Sequence, residues 1–142
     1  MQAIRHVLIP TDFSETAEAA IDVAIGFAAK FDASMTLLHV YTLPMVAYGD
    51  ITVFPVVDLE TAARSAIDGV LARVRARYPK TEAVVRQGPP AETIVEVARE
   101  RGCDLIVIGT HGRRGMSHLF LGSVAERVVR SSHVPVLTVR AR

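Results

Sequence analysis

The chain has 142 residues, 50% of them hydrophobic and 22% charged, with a formal net charge of +1, so we expect one packed domain spanning residues 1–142. This balanced charge disfavours nucleic-acid binding, for which proteins concentrate uncompensated Lys and Arg. Because the single Cys103 cannot form an internal disulfide and no apolar run suits a secretory or membrane segment, we expect a cytoplasmic protein that contacts no membrane.

The first half of the chain alternates between strand and helix patterns. Residues 4–9 predict a buried strand, and Ser14 predicts the cap of a following helix. Residues 34–41 predict a second strand, whereas residues 42–56 have no clear period and predict a long connection, of a kind that is often functional. The apolar positions of the first helix share one face: Ala17, Ala20, Ile21, Ala24, Ala28 and Phe31.

The same alternation continues through the middle of the chain. Residues 59–78 carry apolar side chains at helical spacing, and residues 81–86 predict a third strand. Pro89-Pro90 favours the start of a third helix, and Gly102 is well placed to end it. The apolar side of that helix is formed by Ile94, Val97 and Ala98.

Two further strands are predicted near the end of the chain. Residues 104–108 form a continuous β-branched run, which is typical of a strand covered on both faces. A helix is predicted after Ser123 and a last strand at residues 134–137. Because Pro135 has no N–H to donate, we expect this strand at a sheet edge, where it either pairs with another subunit or is shielded by Pro135 and nearby arginines.

Strands that alternate with helices predict right-handed crossovers and a parallel sheet with helices on both faces. The sequence therefore indicates a doubly wound α/β domain. In such sheets ligands bind outside the carboxyl ends of the strands, where the winding reverses.

A glycine pattern follows the fourth predicted strand. Gly109-Thr110-His111-Gly112 is separated by nine residues from Gly122-Ser123, where the last helix is predicted to begin. Glycines at a strand-to-helix turn let an anion approach main-chain N–H groups, and a helix N-terminus adds its dipole. The residue pattern fits neither a Walker A loop nor the glycine fingerprint of dinucleotide-binding proteins. The pattern predicts a phosphate site, and a flexible surface turn is the alternative.

This pattern, with Leu121 before Gly122 and Val124 after Ser123, resembles the nucleotide-binding branch of the universal stress protein family. The resemblance extends to residues 7–14, 37–40, 104–109 and 134–137 and covers essentially the whole chain. It implies an open, Rossmann-like sheet of five parallel strands in the order 3-2-1-4-5. It also implies a homodimer through the last strand, with contacts from Val134, Val136 and Val139.

The resemblance further implies an adenine nucleotide site for ATP. Any Mg²⁺ or Mn²⁺ is expected to be held through the phosphates and water, because the five histidines lack metal-ligand spacing. No catalytic residue is predicted. The expected binding residues are Pro10, Thr11, Asp12, Val40, Ile108, Gly109, His111, Gly112, Arg113, Gly115, Gly122, Ser123 and Val124.

Two of these residues have a second interpretation. Asp12 either contacts the nucleoside or is an acid favoured at a helix start, and Ser123 can cap the last helix as well as bind phosphate.

The leading functional hypothesis is an ATP-binding regulatory protein of stress response, with an unknown protein partner. Slow ATP hydrolysis or autophosphorylation at the same site is the alternative. It comes second because Asp12 is the only evident base, and the resemblance assigns Asp12 to the nucleoside. A nucleotide-independent interaction module is the third.

Overall fold

Five strands and four helices alternate in the computed structural model, which describes residues 3–43, 56–111 and 121–141. Most of the predicted connection at 42–56 lies outside the described residues. In chain order the elements are β1 (His6–Pro10), α1 (Glu15–Phe31), β2 (Ser34–Tyr41), α2 (Val56–Arg77), β3 (Thr81–Gln87), α3 (Pro90–Glu100), β4 (Leu105–Gly109), α4 (Ser123–Ser131) and β5 (Val136–Val139).

The strands form one parallel sheet in the order β3-β2-β1-β4-β5, which confirms the predicted order. Strand β1 pairs with β2 on one side, where Ile9 is opposite Leu37, and with β4 on the other, where Leu8 is opposite Ile106. The winding therefore reverses between β1 and β4, and the turns that follow these two strands lie side by side.

Each face of the sheet carries its own apolar layer, because side chains of a strand point alternately to opposite faces. Val7 and Ile9 of β1 pack in one layer with Ile21 of α1 and Ile67 of α2. Leu8 packs in the other layer, with α3 and α4. Burial of one such large apolar side chain contributes about 1.5–3 kcal/mol to the stability of the folded state. Helices packed on both faces therefore stabilise the sheet and hold its strands in register.

Helix α1 begins and ends at clear signals. The Ser14 Oγ accepts the Ala17 N–H at 3.2 Å, and Asp32 ends the helix in the left-handed region at φ 55°. Small alanines on the buried face let α1 lie close to the sheet. The prediction that Phe31 shares that face is wrong: Phe31 is 40% exposed and stacks on Phe27, because the helix there has passed the edge of the core.

Strand β5 lies at an edge, as Pro135 predicts, and begins one residue after it. The Ile106 N–H donates to the Pro135 carbonyl at 3.0 Å, so the proline still serves the ladder as an acceptor. Val134 precedes the strand. Val134 and Val136 pack partly on the α3–α4 layer and Val139 on the other. None of the described helices is long and apolar enough to cross a membrane.

Candidate functional site

A cavity of about 500 Å³ opens where the winding reverses, at the carboxyl ends of β1 and β4. Its size is typical of a small-molecule site. Segments far apart in the chain line it: Pro10, Thr11, Asp12, Ser14, Ala17, Leu38, Val40, Pro90, Ile94, Ile108, Gly109, Thr110, His111, Leu121, Gly122, Ser123, Val124 and Ala125.

Every predicted binding residue that lies in the described chain is on this wall, whereas Gly112, Arg113 and Gly115 lie outside the described residues. Sequence reasoning missed eight further lining residues: Leu38, Pro90 and Ile94 are placed by strand order rather than by any local motif, whereas the other five stand within or beside the predicted segments. The full set is Ser14, Ala17, Leu38, Pro90, Ile94, Thr110, Leu121 and Ala125.

One end of the cavity is apolar. Leu38 and Val40 come from the end of β2, and Pro90 and Ile94 come from the first two turns of α3. Thr11 directly follows β1, and its N–H donates to the Leu38 carbonyl of β2 at 2.8 Å. Because main-chain groups alternate along a strand, the N–H and carbonyl of Val40 face the same side as those of Leu38, toward the crevice.

The turn between β1 and α1 is fixed by short-range hydrogen bonds. The Thr11 Oγ1 accepts the Phe13 N–H at 3.1 Å, and the Asp12 Oδ1 accepts the Ser14 N–H at 3.0 Å. Phe13 has φ 67°, a costly conformation for a bulky residue. Its ring packs 4.5 Å from that of His39, whose Nδ1 donates to the Thr11 carbonyl at 2.9 Å. The turn therefore holds Asp12 at the cavity mouth.

The other end of the cavity is formed by the N-terminus of α4. Gly122 is the N-cap residue, and no side chain of the described residues caps this end. Ser123 is the first helical residue, so the prediction that it caps the helix is wrong. Helix N–H groups and the positive end of the dipole therefore face the cavity, an arrangement that favours an anion.

Gly122 is required for close approach rather than for a left-handed backbone. Its φ is −61°, which any residue can adopt. A Cβ there would lie 2.8 Å from the Thr110 carbonyl oxygen, which also accepts the Gly122 N–H. A substitution at Gly122 therefore disturbs the junction of the two loop ends whether or not a ligand binds.

Comparison with known proteins gives the family. The model of the Universal stress protein family matches residues 3–140. The chain belongs to this family. Universal stress protein MJ0531 of Methanocaldococcus jannaschii is 34% identical over 139 residues, which cover 96% of this chain and 82% of that protein.

Solved universal stress proteins have the same fold. UspA from Lactobacillus plantarum superposes with a TM-score of 0.82 at 26% identity, covering 99% of this chain and 100% of that one. A universal stress protein crystallised in complex with cAMP superposes with a TM-score of 0.74 at 26% identity, with 99% and 100% covered.

Charge at the universal stress protein cavity is sparse among its described residues. Asp12 is the one carboxylate there, and it is exposed. No group of three or more His, Cys, Asp or Glu side chains gathers as a metal site within the described chain. A second depression, of about 470 Å³, lies on one exposed face of α2, and its described wall shares no residue with the cavity and contains no glycine turn or strand end.

Cys103 lies just before β4, at the opposite end of the sheet from the cavity. Its side chain is 3% exposed, and burial raises the pKa of the thiol to about 11. Asp104 adds to the effect, and Arg101 opposes it. The thiol is therefore protonated and unreactive at neutral pH, as expected for a packing residue.

Proposed function

We propose that this universal stress protein binds an adenine nucleotide, with ATP as the principal ligand, and that nucleotide occupancy regulates its contacts in a stress response. The observation that carries the proposal is the joining, in one cavity, of an apolar wall and an α4 N-terminus without a side-chain cap. The complex of a relative with cAMP, an adenine nucleotide, supports it.

The apolar end suits the base. Leu38, Pro90 and Ile94 provide surfaces for a flat ring, and the Val40 main chain offers one donor beside one acceptor. Adenine presents the complementary pair on its Watson–Crick edge, whereas guanine presents the reverse pair. Asp12 is suited to accept hydrogen bonds from ribose hydroxyls.

The α4 end suits the phosphates. Gly109, His111, Gly122, Ser123 and Val124 line it. We assign the same role to Gly112, Arg113 and Gly115 on the strength of the motif. Because no carboxylate cluster is present among the described residues, we propose that Mg²⁺ or Mn²⁺ is held by phosphate oxygens and water.

We propose binding rather than turnover as the main activity. Phosphoryl transfer requires a positioned base, and Asp12, the one carboxylate in the described wall, already accepts the Ser14 N–H through Oδ1. Hydrolysis or autophosphorylation therefore remains the secondary hypothesis at this site.

The biological unit that we propose is a cytoplasmic homodimer of one domain, residues 1–142. Strand β5 carries apolar residues and no charged side chain, whereas the other edge strand, β3, carries Glu82 and Arg86, both in ion pairs. Charged side chains protect edges from pairing, so β5 is the edge suited to a second copy. Val136 and Val139 of β5, with Val134 just before it, are the proposed contacts.

Titrations with ATP and adenosine test the proposal. Asp12→Ala is expected to weaken the binding of ATP and of adenosine alike, because the proposed contact of Asp12 is to the nucleoside. Ser123→Ala is expected to weaken ATP by a few-fold, since one hydroxyl contact is worth about 0.5–1.5 kcal/mol, and to leave adenosine unchanged. Asp68→Ala, on the exposed face of α2, is the control. Wild-type protein that binds no ATP at millimolar concentration with Mg²⁺ would overturn the proposal.

A further inference from the structure

Thr16, in the first turn of α1, contacts the segment that leads from β4 into the glycine loop. Its side chain is buried, with 7% exposed. Its hydroxyl donates to the His111 carbonyl, although the two residues are 95 positions apart. Gly109 lies so close that a Cβ there would be 2.9 Å from Thr16 main-chain and Cβ atoms. Helix α1 is therefore in direct contact with the start of the loop.

The directions of the hydrogen bonds around Thr16 follow from its acceptor. A carbonyl oxygen only accepts hydrogen bonds, so the Thr16 hydroxyl must donate its one proton to the His111 carbonyl. The Ser14 Oγ, 3.1 Å from the Thr16 Oγ1, then donates to it. The Ser14 Oγ in turn accepts the Ala17 N–H of the helix cap. The helix cap and the His111 carbonyl are thus joined through two hydroxyl groups.

The residue beside His111 is held from two other elements. The Thr110 N–H donates to the Val139 carbonyl of β5 at 2.8 Å, and the Thr110 carbonyl accepts the Gly122 N–H at the start of α4. With Thr16 included, main-chain groups of Thr110 and His111 are fixed by α1, β5 and α4 together.

The orientation of the His111 carbonyl matters because His111 lines the cavity near the helix terminus. A carbonyl oxygen carries a partial negative charge, and an anion site needs N–H groups rather than carbonyls directed at the anion. Thr16 holds this carbonyl against α1 and so keeps it from turning toward a bound phosphate.

We propose that Thr16 is a positioning residue for phosphate binding, acting through the His111 main chain rather than by touching the ligand. The inference rests on the proposed function, because it concerns the phosphate end of that cavity. It assigns to α1 a role in ligand selection that the glycine pattern does not contain.

The test compares ATP with adenosine on matched threonine variants. Thr16→Val keeps the shape of the side chain and deletes the hydroxyl, and we expect about a tenfold loss of ATP affinity with less than a twofold change for adenosine. Thr16→Ser restores the hydroxyl and should restore ATP binding. Thr36→Val is the control, since Thr36 is also buried and hydrogen bonded, to His6 and Glu82, at the far end of the sheet. It should lower stability and leave the ATP-to-adenosine ratio unchanged.

The outcomes separate the two proposals. Wild-type protein that binds no ATP overturns the proposed function and this inference with it. ATP binding by the wild type with an unchanged ligand ratio in Thr16→Val overturns the inference alone. If Thr16→Val does not fold by circular dichroism, Thr16→Ala, which adds no bulk, decides by the same ratio.

Discussion

At the scale of single residues, the glycines of the motif act through close packing. Gly109 and Gly122 each lie where a Cβ would meet main-chain atoms at less than 3 Å. Neither has a positive φ, so their freedom to adopt a left-handed backbone is not what the fold uses. The pattern that predicts a phosphate loop is also the pattern that lets α1 and α4 approach β4.

Gly109→Ala is expected to destabilise the protein by about 1–3 kcal/mol, as overpacking of a close contact does. The added methyl group would meet the main chain of Thr16, which cannot move without shifting α1. Chemical denaturation measures the change.

Gly26→Ala is the matched control, because nothing lies within 4 Å of a Cβ at this helical position. It should stabilise the protein by about 0.5–1 kcal/mol through helix propensity. Equal effects of the two substitutions would contradict the packing role of Gly109.

The raised pKa of Cys103 leads us to expect a loss of stability at alkaline pH. Burial raises the pKa of the folded thiol to about 11, above its unfolded value, so the folded state retains a proton that the unfolded state releases. The free energy of unfolding should therefore fall as pH rises from about 9 to 11, by up to about 1.4 kcal/mol per pH unit from this group.

Denaturation of Cys103→Ala at the same pH values isolates this contribution, since other groups titrate equally in both proteins. The variant should lose less stability than the wild type over this interval. Parallel curves for the two proteins would rule out a thiol that is protected by the fold.

At the scale of elements, β5 has one side committed to its own sheet and one side open. The Pro135 carbonyl accepts the Ile106 N–H of β4, and the Val139 carbonyl accepts the N–H of Thr110 just after it, so by alternation the main chain of Thr138 faces away from β4. The proposed dimer would use that outward row of groups. A test of the dimer should therefore remove an outward N–H and leave the side chains packed on the core.

Thr138→Pro is expected to weaken self-association at least tenfold while the fold remains intact, because proline is tolerated on the free side of an edge strand. Sedimentation at micromolar concentration measures the dissociation constant. Ala83→Pro makes the same change on the outward side of β3 and should leave assembly unchanged. A wild-type protein that is monomeric at these concentrations would refute the proposed pairing.

At the scale of the whole molecule, periodicity was sufficient for the number and order of the elements, and the resemblance was sufficient for the strand order. The bounds of the last strand were wrong, since β5 spans Val136–Val139 rather than residues 134–137. The strand predicted at residues 34–41 is β2 as observed, because its apolar run is bounded by clear breaks. The exposure of Phe31 could not be predicted, since it depends on where the core ends rather than on helical phase.

The site was predicted where local motifs carry it and missed where strand order does. Asp12 and Gly122 stand in recognisable turns. Thr16 contacts His111, and Pro90 lines the cavity, only because β1 lies between β2 and β4, and no pattern within either segment indicates this.

ATP is expected to raise the melting temperature of the whole domain. A ligand that binds only the folded state adds about 2.7 kcal/mol at 100 times its dissociation constant, which corresponds to several degrees for a chain of this size. GTP is the control, because guanine would place its donor and acceptor against the wrong groups of Val40. Equal shifts with both nucleotides would contradict the proposed recognition of adenine.

Gly122 and Thr110 meet at one point, so the two ends of the segment between them are joined by a main-chain hydrogen bond. Closing a loop between two such ends costs only about 0.6 kcal/mol more for each doubling of its length. Segments of different length can therefore join the same two ends while the sheet and its helices stay constant. The same junction makes this domain a scaffold on which a protein engineer can exchange one binding loop for another.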